Sequence, residues 1–118
     1  MGGRKRRLQG QEEGMAKYIM VVPSAPTAGK EAEYNKWYDE IHVPEVCAIP
    51  GITGAIRYKL DPASAEKPSS PYLAIYAVET DDPAAVMAEL GKRAGSGEIH
   101  MSDAIDVSTA SITLFKQR

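Results

Sequence analysis

The chain has 118 residues, a formal net charge of −2 at pH 7, 43% hydrophobic residues and 25% charged residues. That size allows one domain with one core, and no apolar run approaches the roughly 18 residues a membrane helix needs, so no membrane partner is expected. A lone cysteine, Cys47, excludes an internal disulfide and points to a reducing, cytoplasmic setting.

Residues 1–14 hold the basic run Arg4-Lys5-Arg6-Arg7 in a Gly/Gln/Glu-rich stretch with no apolar segment to pack or to serve as a signal. Glu12-Glu13-Gly14 directly before Met15 reads as a translated ribosome-binding site. Met15 is therefore expected to be the biological start, with 1–14 a disordered leader and 15–118 a single domain. Without the leader, 10 basic residues face 14 acidic ones. That balance favours no polyanion, so no nucleic-acid partner is expected.

The β-branched run from Lys17 to Val22, closed by Pro23, predicts the first strand. A loop to Gly29 leads to a helix over 30–42. Pro44 disfavours helical geometry at Val43, so regular structure is expected to end near His42, with Pro44 restarting a short turn through Cys47. Pro50-Gly51 signals a turn. The stretch 52–60 alternates, which places Ile52, Gly54, Ile56, Tyr58 and Leu60 on one strand face and Arg57 on the other. A proline-rich loop over 61–71 precedes a third strand over 72–79, apolar enough to suggest that both its faces are covered. Asp81 or Asp82 caps a second helix opened by Pro83, with Val86, Met87 and Leu90 inward and Gly91 or Gly95 at its end. An irregular stretch over 94–106 leads to a last strand over 107–115. The order β-α-β-β-α-β predicts an α+β, ferredoxin-like antiparallel sheet with two helices on one face. Its other face needs cover, and a second copy of the sheet is the simplest one, so a homodimer is expected.

Chemistry is concentrated in Tyr34-Asn35-Lys36-Trp37-Tyr38-Asp39-Glu40-Ile41-His42. At 100° per residue, Trp37, Ile41, Tyr34, Tyr38, His42 and Asn35 share one arc. A helix end at His42 would let the backbone dipole favour its protonated form. Asp39, one turn back, or Glu45 would then steady the ring. His42 is the expected acid/base, Tyr38 a hydrogen-bond donor and Asp39 the orienting group. Asn35, Trp37, Tyr34, Tyr58, Tyr72 and Tyr76 are the expected binding wall. His100 falls in the irregular segment, as an exposed loop residue or a lid. Each of these residues also has a structural reading: a histidine capping its own helix, core aromatics, an exposed strand arginine.

The run Tyr34-Asn35-x-Trp37-Tyr38-x-x-x-His42-x-Pro44-Glu45, followed by Ile49-Pro50-Gly51 and the C-terminal Thr109-Ala110-Ser111-Ile112-Thr113-Leu114-Phe115, resembles the EthD-like group of dimeric α/β-barrel proteins. The likeness covers about residues 16–116. It implies small ferredoxin-like subunits paired sheet to sheet, each with a pocket between helix one and the sheet. Relatives implied by the resemblance include accessory proteins of ether and aromatic-compound degradation, polyketide dehydratases or cyclases and, further off, cofactorless monooxygenases and haem-binding enzymes. Fold likeness alone does not choose among them.

No metal-ligand spacing, phosphate loop or nucleophile elbow is present, so no metal and no cofactor is expected. The leading expectation is a cofactor-independent acid/base enzyme of cyclase, dehydratase, isomerase or lyase type, acting on a small apolar aromatic or polyketide-like molecule. A non-catalytic binding or accessory subunit is the alternative, and a haem-binding barrel using one histidine as axial ligand is the third.

Overall fold

A computed structural model describes residues 15–118; the expected leader lies outside them. The elements, in order, are β1 (Ala16–Pro26), α1 (Glu31–Trp37), a π-helical turn (Tyr38–His42), α2 (Val43–Cys47), β2 (Ile52–Lys59), β3 (Tyr72–Thr80), α3 (Pro83–Ser96), β4 (Ile105–Asp106), a 3-10 turn (Val107–Thr109) and β5 (Thr113–Lys116). The sheet runs β2-β3-β1, with β4 and β5 both paired to the free edge of β1 and every pairing antiparallel. The fold is α+β and ferredoxin-like, as the element order implies.

β1 does not stop at Pro23. Its odd-numbered residues turn their backbone polar groups toward the β4–β5 edge, where Ala25 N–H reaches Thr109 Oγ1 and Lys17 C=O accepts from Gln117. Pro23 falls in the gap between the partners β5 (at 18–21) and β4 (at 25–26), so its missing donor costs the ladder nothing. The expected last strand over 107–115 is instead a 3-10 turn, in which the Asp106 carboxylate accepts from Ser108 N–H, followed by β5.

Helix boundaries differ for similarly local reasons. The first helix passes through Pro44 instead of ending at His42. Val43 stays helical (φ −59°, ψ −47°), and its N–H bonds Tyr38 C=O five residues back. A proline in a helix normally collides with the carbonyl four residues earlier; the wider π turn relieves that conflict. α3 runs through Gly91 and Gly95, which an interior helix tolerates for about 1 kcal/mol each, and ends at Gly97, which takes the left-handed conformation at φ +86°. Of the two candidate caps it is Asp82 that accepts from Ala85 N–H, and Pro83 opens the helix as expected.

A bulge in β2 changes the sidedness of that strand. Ile52 pairs Val78 while Gly54 pairs Ala77, so Thr53 is the extra residue. The alternation flips after it: Ala55 and Arg57 join Ile52 on the helix-covered face, while Ile56 and Tyr58 turn to the open face. The core lies between helices and sheet, around Met20, Tyr34, Tyr38, Val46, Ile49, Tyr76 and Val78. Among the described residues β3 is covered on one face only, with Leu73 and Ile75 half-buried on the other.

Gly51 is held by two constraints, a backbone φ of +99° and a position where an added Cβ would meet Val86 Cγ2 at 3.0 Å. Gly51→Ala is expected to destabilise the fold by about 2 kcal/mol, since left-handed geometry alone costs an L-residue roughly 1–2 kcal/mol. The midpoint of urea denaturation measures it.

Candidate functional site

The π turn sets the geometry of the site. One additional residue in the turn brings positions five apart into contact, and Trp37 stacks on His42 with centroids 4.6 Å apart and planes at 28°. Tyr38 meets the same imidazole edge-on at 5.1 Å. Ile41, expected on the inner arc, is exposed instead.

His42 does not stand at a helix terminus, so no dipole supports its charge. Burial pushes its pKa down from 6.5 to about 4, and nearby Arg57 pulls the same way, against a partial upward pull from Glu45. The imidazole is neutral at physiological pH, and its Nδ1 is buried without a hydrogen-bond partner among the described residues.

Asp39 does not orient that ring. Its carboxylate accepts from Arg57 Nη1 at 2.8 Å, a charge-assisted bond that outcompetes one to a neutral imidazole. Glu45 is engaged elsewhere too: one oxygen accepts the His100 backbone N–H at 2.7 Å and the other lies 2.5 Å from His100 Nδ1. The His100 ring is exposed, but its carbonyl accepts Trp37 Nε1–H at 3.0 Å. His100 therefore fastens the segment after α3 down onto the first helix.

Tyr38, His42 and Tyr76 line a cavity of about 320 Å³. Its floor is β1 and β3 (Met20, Val22, Tyr76), its sides are the π turn with α2 (Val46) and α3 (Met87, Leu90), and its mouth carries Met101, Val107 and Ile112. The walls grade from buried at Met20 and Val46 to exposed at the mouth. Burial, followed by the neighbouring Tyr34, raises the Tyr38 phenol to about 12. Burial, followed by Tyr38, pushes Tyr76 higher still. Both stay protonated as donors, and the Tyr76 hydroxyl is buried without a partner among the described residues.

The other expected wall residues lie outside this cavity. Tyr34 is fully buried, its hydroxyl 2.6 Å from Ser24 Oγ. Asn35 donates to the Tyr72 hydroxyl at 3.1 Å, and Tyr72 in turn donates to Glu31. Tyr58 is on the open face of the sheet, turned there by the Thr53 bulge.

The bulge also brings in Arg57, which an unbroken alternation puts on the wrong face. Its guanidinium carbon sits 4.2 Å from the Tyr38 ring centre and 5.3 Å from those of Tyr34 and Tyr72. Nη2 donates to Asn35 Oδ1 at 2.9 Å, and the side chain is only 14% exposed. Gly54 inside a strand was the one sequence signal for such a bulge. Among the described residues no cluster of three metal-ligating side chains occurs.

Solved structures share this architecture. An ethyl tert-butyl ether D (EthD) family protein from Bacillus halodurans C-125 matches with a TM-score of 0.61 and 12% identity, over 86% of this chain and 99% of its own. An EthD-like protein from Ralstonia eutropha JMP134 matches with a TM-score of 0.55 and 17% identity, over 84% and 89%. No family model and no curated protein matches the sequence. The chain has the EthD-like fold, and among the described residues no helix is long and apolar enough to cross a membrane.

The depressed His42 pKa has a thermodynamic consequence. Above about pH 6.5 both folded and unfolded chains hold a neutral imidazole. As pH falls from 6.5 toward 4, the unfolded chain gains a proton that the folded one refuses. Stability should therefore fall through that window by up to about 1.4 kcal/mol per pH unit. The difference between wild type and His42→Gln in urea titrations from pH 7 to about 4 isolates this slope, which the variant lacks.

Proposed function

We propose that the chain binds a small, largely apolar molecule in the cavity beside His42 and performs proton-transfer chemistry on it without a cofactor: cyclisation, dehydration, isomerisation or lyase cleavage. The observation carrying this reading is that, among the described residues, the only ionisable or hydroxylic side chains lining an otherwise apolar cavity are a neutral imidazole and two protonated phenols. In the proposed step the imidazole takes a proton from the guest. Negative charge developing on a guest oxygen is held by the Tyr76 and Tyr38 hydroxyls, and the proton returns at another position or to a departing hydroxyl. A volume of about 320 Å³ falls at the small end of the roughly 300–1,000 Å³ typical of ligand sites.

His42→Phe should lower turnover at least about 100-fold, the usual contribution of a general base, while the far-ultraviolet spectrum stays native. Tyr76→Phe should lower kcat by about tenfold. Full activity in His42→Phe would remove the base from the mechanism. One observation favours a non-catalytic reading: an imidazole with a pKa of about 4 is a weak base at neutral pH. Thermal stabilisation by phenols, with no product formed by wild type, would support that reading.

We further propose that the open sheet face pairs with a second copy of the chain. Across it run apolar rows, Phe115–Ile19–Ala77 and Val21–Ile75–Ile56, with Tyr58 beside them. Ile56 is 61% exposed, and Ile19, Tyr58 and Phe115 are exposed as well. A patch of this extent on a monomer marks an interaction surface. Sedimentation should give twice the chain mass for wild type and the single chain mass for Ile56→Glu.

A further inference from the structure

The substrate class of the cavity follows from the charge on its walls, given that it is a ligand site as proposed above. Among the described residues no aspartate, glutamate, lysine or arginine lines it. Arg57 lies over the Tyr38 ring without lining the cavity; its Nη1 and Nη2 are bonded to Asp39 and Asn35, and only its buried Nε has no partner among the described residues. A carboxylate seated at the buried end of the cavity would give up hydration and meet no counter-charge among the described lining residues, which is a costly burial. A neutral guest carries no such penalty.

Its polar side asks for a hydroxyl. His42, Tyr38 and Tyr76 supply the polar side chains of its lining, and among the described residues neither His42 Nδ1 nor the Tyr76 hydroxyl has a hydrogen-bond partner, a state that is costly for a buried polar group. A hydroxyl both donates and accepts, so it complements the phenols and either tautomer of the imidazole. The apolar side asks for an aromatic ring. Met20, Met87 and Met101 all face the cavity, and thioethers make favourable contacts with aromatic edges. An apolar cavity of about 150 Å³ holds one benzene ring, so a volume of about 320 Å³ holds two. We infer that the cavity takes an uncharged two-ring hydroxyarene and rejects the corresponding carboxylate.

Calorimetric titration of the full chain at neutral pH with 2-naphthol, 2-methoxynaphthalene and 2-naphthoate tests this. The naphthol should bind at least about tenfold tighter than the naphthoate and severalfold tighter than the methoxy compound, which cannot donate. Met101 is exposed at the cavity mouth, where an added cation need not disturb the core, so Met101→Arg should narrow the naphthol-to-naphthoate ratio. Equal or tighter naphthoate binding to wild type overturns the substrate class and leaves the ligand site standing. A ratio unchanged by Met101→Arg overturns the ligand-site reading together with the class, because binding would then lie elsewhere. Failure of all three probes to bind up to their solubility overturns both the class and the ligand-site reading.

Discussion

One steric conflict organises the functional half of this protein. Pro44 falls inside a helical stretch, and the chain absorbs it by widening a single turn, with Val43 N–H bonded to Tyr38 C=O. The widened turn slides His42 beneath Trp37 and against Tyr38, sends Ile41 out to solvent and leaves Val46 on the cavity wall. A helix ending at His42 would have given a solvated, dipole-supported imidazole. The continuous helix gives a half-buried neutral one, and that difference in protonation separates an acid from a base.

The second constraint is the placement of charge. Arg57 is nearly enclosed, yet it contributes no polar atom to the cavity wall. Its guanidinium lies on the faces of three tyrosines and is tied to Asp39 and Asn35. Such an arrangement draws on cation–π attraction, worth about 0.5–2 kcal/mol per contact, and its electrostatic influence reaches Tyr38 and His42. On the opposite side, Glu45 and His100 fasten the segment that contributes Ile99 and Met101 to the cavity. Among the described residues charge thus frames the cavity without entering it. The aromatic layer serves as insulation as much as core.

The order of elements, the Asp82–Pro83 start of α3, the Pro50-Gly51 turn and the inward-facing Tyr34, Trp37 and Tyr38 were all legible in the sequence. Each depends on interactions within a few residues: a cap, a positive φ, a helical period. The residue types of the site were legible for the same reason, since a histidine and phenols on one helical arc are a local pattern. Their partners were not. Asp39 and Glu45 sit at helical spacing from His42, but they bind Arg57 and His100, 18 and 55 residues away along the chain.

What only the tertiary structure decided comes down to two added residues. One widens the turn at Tyr38–His42 and the other bulges β2 at Thr53. Each shifts the phase of everything after it, turning Ile41 and Tyr58 outward and Arg57 inward. Periodicity read along a sequence assumes an unbroken repeat, and a phase shift is settled by what the displaced side chains meet across the fold. The sequence by itself therefore determined which groups are available for chemistry. Packing between helix and sheet determined which of them face the cavity, and in which protonation state.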